Sequence, residues 1–325
     1  MQDWEHLLAR WMLAVLAFAV AGAMTAPLSA LLWRWRRHLS LAQLKGALTV
    51  VVLKPLAIAL FAVFAATMPS CTRHTVCYFG WLQQNLGNVG ILLMRILLLA
   101  VTAVLVVFAW RLAVHALGVL RTFRYLRHVS RPPSDALQQA LQQVVPAEMH
   151  RRFREAPIPA DANGVYAGMC FLSQESVHAL SPVQLLAVVA HEYQHLRARD
   201  GWFALGTGLL VLGTGWSAWS AAFRRWSQAA ELLADERATR AGVPRTELAK
   251  TLLYRQAGAQ GISLGFGANS DLLEERLQSL LLPSVPISRL TWSMWTLLAG
   301  ICLLMLYALW LTGGTSTCTI HCILF

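Results

Sequence analysis

Two short segments of the chain place metal-binding and proton-transferring side chains at helical spacing. The first is His191-Glu192-Tyr193-Gln194-His195 and the second Glu231-Leu232-Leu233-Ala234-Asp235. A separation of four puts His191 and His195 on one helix face, one turn apart, where two imidazoles can grip a single zinc ion. Glu192 adjoins that face and can take a proton from a water beside the metal. Two histidines on an ordinary amphipathic helix would show the same spacing, so the deciding requirement is a third protein ligand. Glu231 can supply it, completing a His-His-Glu set with a fourth position left for water. Asp235 shares the face of Glu231 and can hydrogen-bond the free ring nitrogen of a ligand histidine, which fixes the ring. The chemistry such a set supports is metal-assisted hydrolysis of a peptide bond.

The elements that must position these residues are marked in the sequence. Ser181 suits a helix N-cap, Pro182 the first helical position, and Gln184 closes a capping box. Leu185, Leu186, Val188, Val189 and Ala190 continue the helix toward the histidines, and Gly201 lies past its expected end. The helix bearing Glu231 is expected to stop at Gly242 and Pro244. Ser134–Val145 reads as a short amphipathic helix and Val165–Ser173 as a strand-like run; Arg131-Pro132-Pro133 and Pro157–Gly164 are breaks. Rival ligands fit less well. Glu175, His178 and Glu236 share no helical face with the named set at suitable spacing, and Cys170 suits a small apolar filler. Tyr254 and Arg276 are both candidates for stabilising a developing oxyanion.

Composition decides the surroundings. Hydrophobic residues make up 57% of the 325 and charged residues 13%, against about 45–50% and about 25% in soluble domains. So few charges cannot cover a soluble surface, and so much apolar content excludes disorder. The net charge of +11 does not indicate nucleic-acid binding, because the basic residues cluster beside apolar runs, as juxtamembrane charge does. A bilayer core needs about 20 apolar residues in a helix. Four segments qualify as spans: Trp11–Trp33, Ala47–Met68, Val89–Trp110 and Leu290–Thr312. Lys54 and Arg95 within them are read as snorkelling side chains. The first is read as a retained span, since Asp3 and Glu5 offset Arg10 where a cleaved signal would carry positive charge.

Arg34, Arg36, Arg37 and Lys45 follow the first span, only Arg73 falls between the second and third, and Arg111, Arg121, Arg124, Arg127 and Arg131 follow the third. This places both termini outside and residues 111–289 inside. Trp292, Trp295 and Trp310 read as an interfacial belt. A fifth apolar run, Trp202–Phe223, cannot cross the membrane if His195 and Glu231 share a metal, because one crossing would put them on opposite sides. Its glycines at 206, 208, 213 and 215 point to a re-entrant or interfacial hairpin.

The stretch from Ala187 to Asp200, with Glu231-x-x-Ala-Asp235, resembles the membrane gluzincins, and in particular the BlaR/MecR-type antirepressor peptidases. The HtpX-type quality-control peptidases share the two motifs, and Asp271–Leu277 also resembles a short segment of both families. The resemblance covers about residues 155–285 and the order of spans. It implies zinc held by His191, His195 and Glu231, with Glu192 as base and Asp235 as brace. It also implies that Gly168, Met169, Cys170, Phe171 and Leu172 form an edge strand on which substrate is laid as an added strand. The chain departs from the BlaR/MecR type in one respect: only Gly313–Phe325 follow the last expected span, where that family carries a penicillin-binding sensor.

The fold class expected is therefore mainly α, a polytopic helical membrane bundle with a small α+β gluzincin-like zinc-peptidase domain on the cytoplasmic face. Three spans fall within residues 1–118 (about 11–33, 47–68 and 89–110). The peptidase domain occupies 119–289 with its hairpin at 202–223, the fourth span 290–312 and a short outer tail 313–325. The function expected is that of an inner-membrane zinc metalloprotease acting in signal transduction, with a cytoplasmic repressor or partner protein as substrate and no direct contact with nucleic acid. Two alternatives stand beside it: an HtpX-like protease of membrane-protein quality control, and a zinc-stabilised receptor that acts by binding. Glu192 argues against the last, because structural zinc sites need no base and take four protein ligands. The sequence leaves the oligomeric state open. Cys71, His74 and Cys77, and again Cys318, His321 and Cys322, fall on the expected outer face. There they can form disulfides or bind a soft metal as a sensor.

Overall fold

The computed structural model describes residues 18–66, 69–159, 162–215, 217–258 and 270–281, together with Val15. These are mostly helical, with one small sheet. Three helices come first: α1 (Thr25–Arg34), α2 (Leu41–Ala66) and α3 (Pro69–Val129). α1 and α2 form a hairpin through a 3₁₀ turn at Arg36–His38. Among the described residues, two helical stretches are long and apolar enough to cross a membrane: Leu41–Ile58 in α2 and Thr102–Val129 in α3. The described part of the first expected span, Phe18–Arg34, is apolar but shorter, and the fourth lies outside the described residues.

The sequence reading needs correcting in α3. Residues 69–86, expected as an outer loop, are helical, and the helical path breaks at Gly87 (φ 51°, ψ −135°), a conformation only glycine adopts without strain. Past the expected third span the helix continues to Val129, so the expected boundary at 118 falls inside it. No turn residue interrupts the run from Arg111 to Val129 apart from Gly118, which a helix tolerates at modest cost.

A short amphipathic helix, α4 (Asp135–Val144), leads to a three-stranded sheet: β1 (Phe153–Ala156), β2 (Gly164–Tyr166) and β3 (Met169–Ser173). β2 and β3 form a hairpin whose two-residue turn, Ala167-Gly168, has both residues at positive φ (47° and 79°), as such turns require. The strand order is β1-β3-β2. β3 is therefore the central strand, paired in parallel with β1 and antiparallel with β2. This overturns the expectation that Gly168–Leu172 is an edge on which substrate could be laid: Gly168 belongs to the turn, Cys170 and Phe171 are paired on both sides, Met169 is paired with β2 and Leu172 with β1. Phe153, Cys170, Phe171 and Leu172 are fully buried.

Six helices follow: α5 (Gln174–Ala179), α6 (Pro182–Ala198), α7 (Asp200–Thr214), α8 (Ser217–Arg240), α9 (Arg245–Gly258) and α10 (Ser270–Leu281). α6 begins with the capping box formed by Ser181 and Gln184. It ends at Arg199, whose left-handed backbone (φ 58°) redirects the chain into α7 without a glycine. Gly201 is thus inside the first turn of α7. Its role is close approach, since a Cβ there would lie 2.5 Å from the Val165 carbonyl oxygen of β2. The apolar run 202–223 divides at Gly215 (φ 64°) between α7 and α8. α7 packs on α3, while α8 packs on α1, α2 and α6.

One apolar cluster joins the α1–α2 hairpin, through Leu32, Leu44, Leu48 and Val52, to Trp219, Phe223 and Trp226 of α8. Both indole N–H groups are satisfied within it: Trp219 donates to the Val52 carbonyl at 2.8 Å and Trp226 to the Thr49 hydroxyl at 3.0 Å. A second cluster packs α4, the sheet and the buried face of α6. In a third, Ala187 and Ala190 of α6 meet Ala238 of α8 and Leu248 of α9. Small side chains there let the helices that carry the two motifs come close together.

Candidate metal centre

The two motifs meet where α6 and α8 pack. His191 and His195 face the same side of α6, and their Nε2 atoms are 3.1 Å apart. Glu231 reaches them from α8, with its carboxylate oxygens 3.3 Å from His191 Nε2 and 3.5 Å from His195 Nε2. This is the one cluster among the described residues with three such donors able to hold a metal ion. Ligands about 2.0–2.1 Å from a tetrahedral zinc stand about 3.3 Å from one another; the two imidazole nitrogens, at 3.1 Å, lie near that separation, and Glu231 meets each ring with a different oxygen, Oε2 toward His191 and Oε1 toward His195. His191, His195 and Glu192 are buried, and Glu231 is partly exposed, leaving one side of the cluster open.

Each histidine has its own carboxylate behind it. His191 Nδ1 lies 2.8 Å from Asp235 Oδ1, at an angle poor for a hydrogen bond, so the contact is chiefly electrostatic. His195 Nδ1 is 2.9 Å from Asp200 Oδ2 in hydrogen-bonding geometry. Such partners fix the ring and favour presentation of Nε2 to a metal. The spacing of the second motif predicts Asp235 in this role; no such signal marks Asp200. It lies only five residues after His195, but the intervening turn at Arg199 carries no glycine to announce it.

Arg276 of α10 completes the cluster and is also buried. It donates to both Asp235 oxygens, at 2.7 Å from Nε and 2.8 Å from Nη2, and its Nη1 lies 2.8 Å from Glu231 Oε2. The guanidinium is thus committed to the carboxylates of the site, whereas the sequence offered it as an oxyanion donor alongside Tyr254. Tyr254 packs against the cluster formed by α4, the sheet and α6.

The electrostatics follow from this geometry. Burial disfavours ionised Glu231, but Arg276 and the two histidines outweigh it and hold the carboxyl well below its ordinary range. Asp235 is held low in the same way, by Arg276 and His191 against burial. Burial opposes charge on His195 too, yet Glu231 and Asp200 raise its pKa to about 10. His191 is raised by Asp235 and Glu231 against burial. Glu192 adds its charge to those acting on both His195 and Arg276, which places it electrically within the site. The cluster is a pair of imidazoles held in an acidic field, a setting that favours a bound cation.

Glu175 and His178 lie on α5, apart from this cluster, and Glu236 pairs with Arg240. Cys170 is fully buried in β3 as an apolar filler. Cys71, His74 and Cys77 fall in the first part of α3, and Cys318, His321 and Cys322 lie outside the described residues. The chain matches no model of a known protein family, no curated protein and no solved structure.

Proposed function

We propose that the chain is an integral-membrane zinc endopeptidase. The observation that carries this reading is the convergence of His191, His195 and Glu231 at 3.1–3.5 Å, with Glu192 buried beside them on the same helix. Zinc held by those three side chains would polarise the scissile carbonyl and a neighbouring water. The chain's own residues do the rest. Glu192 accepts the proton of the attacking water and returns it to the departing amine. Asp200 and Asp235 hold the two imidazoles in register, and Arg276 keeps Glu231 ionised and aimed at them.

The membrane setting of the proposal is the four-span arrangement of the sequence reading, with both termini outside and the metal centre at the cytoplasmic surface of a bacterial inner membrane. Supporting it are the two long apolar helical stretches, the second of which has no buried residue along its apolar window. The resemblance to BlaR/MecR-type peptidases favours site-specific cleavage of a cytoplasmic repressor or partner. A comparison of cellular peptides from wild type and Glu192→Gln tests both levels. Glu192→Gln should abolish cleavage, because an amide cannot accept the proton, with a loss of about 10²–10⁴-fold. One or two proteins cleaved only by wild type would indicate signalling. Many membrane-protein fragments would instead indicate quality control, and identical peptides would contradict a peptidase.

A further inference from the structure

Lys45 stands one turn into the apolar helix α2, and its side chain is only 13% exposed. A cation there would be costly without a partner. Its partner lies 155 residues away: Lys45 Nζ donates to Asp200 Oδ1. The other oxygen of the same carboxylate, Oδ2, contacts His195 Nδ1. One carboxylate therefore joins a cation on a candidate membrane span to a proposed metal ligand. The ammonium also lies 5.6 Å from the centre of the Trp226 ring on α8, within reach of a cation–π attraction.

The same helical hairpin also reaches the helix that carries Arg276. Arg36, in the turn between α1 and α2, pairs with Glu275 at 3.1 Å. The next residue, Arg276, clamps Glu231 and Asp235. The hairpin thus reaches the group behind His195 through Lys45, and the helix behind Glu231 through Arg36.

Taking the zinc reading as its basis, we propose that Lys45 is a positioning residue: it fixes the Asp200 carboxylate, which fixes the His195 ring, so the seating of the α1–α2 hairpin sets the strength of the metal site. Asp200 alone could swing away from His195 or turn toward another donor. Held from both ends it cannot, and an axial shift of α2 would be passed to His195. This gives the membrane part of the chain a direct mechanical grip on the catalytic centre.

The test uses the full-length protein in detergent, with zinc alone as probe. Zinc affinity is measured by competition with a chelator for wild type, Lys45→Met, Asp200→Asn and the double variant. The visible spectrum of cobalt-substituted protein reports ligand geometry, and metal-free melting temperatures separate folding from positioning. Lys45→Met should weaken zinc binding about 10-fold or more, in the range typical of lost ligand supports, and should alter the cobalt spectrum. In the Asp200→Asn background the same change should cost little, because the two residues act as one unit. Lys45→Arg, which keeps the charge, should recover most of the affinity and keeps the test open if Lys45→Met does not fold. Wild-type affinity and spectrum in Lys45→Met, or effects that simply add in the double variant, would overturn this inference alone. A wild-type chain that binds no zinc would overturn the reading on which it rests.

Discussion

Glu231 contacts His195 through Oε1 and His191 through Oε2, and Oε2 is also held by Arg276. Arg276 in turn balances Asp235, so one guanidinium serves two carboxylates in a site with little solvent. Removing it would leave both negative charges without their fixed counter-charge. Arg276→Met is therefore expected to destabilise the metal-free protein by about 3–5 kcal/mol, as breaking a buried ionic network does, read from denaturant unfolding in detergent. Little or no change would mean that the two carboxylates are compensated elsewhere. At this scale the sequence was readable where partners share a helix face. His191 with His195, and Glu231 with Asp235, are each four apart, and that spacing alone brings each pair together. Partners from other elements left no such signal. Lys45 counted as one of several loop cations, and nothing local marks it as the partner of Asp200.

The helix order α6–α7–α8 explains how two distant motifs come to share a site. α6 ends just after His195, α7 leads away and α8 returns with Glu231 on its inner face. The capping box that starts α6 was legible because it is a contiguous pattern, and the stop at Gly242 for the same reason. The sheet was not. Its strands are four, three and five residues long, too short for alternation to speak, and the Ala167-Gly168 turn lies within what reads as one continuous apolar run. Strand order depends on pairing between separate segments, which no local pattern encodes. The contact between α7 and β2 gives a direct check. A methyl group at Gly201 would press on the Val165 carbonyl, which is backbone and cannot rotate aside. Gly201→Ala should cost about 1–3 kcal/mol, as overpacking does, and should weaken zinc binding by displacing Asp200 beside it. An unchanged melting temperature would contradict the close approach.

At the scale of the whole molecule, the described residues present two surfaces of opposite character. The second half of α3 presents Val104, Val106, Val107, Trp110 and Val114 outward. By contrast, a cleft at the C-terminal ends of α6 and α8 is lined by Arg197, Arg237 and Arg240. The first suits lipid and the second water, in keeping with the proposed membrane setting. Because Arg197 and Arg240 line one cleft, cysteines placed at these two exposed positions should be labelled by an impermeant reagent from the same side of the membrane, the cytoplasmic one. Labelling from opposite sides would mean that residues 202–223 cross the bilayer and that Glu231 cannot reach the histidines.

The central claim is that His191, His195 and Glu231 hold one zinc ion, and metal content combined with X-ray absorption on the purified chain tests it most directly. The account predicts about one zinc per chain, with two imidazole nitrogens about 2.0–2.1 Å from the metal and the remaining ligands oxygen. The ion should be kept in Glu192→Gln and lost in His191→Ala and in Glu231→Ala. A wild-type chain without stoichiometric zinc, or one whose zinc survives both of those alanine substitutions, would contradict it.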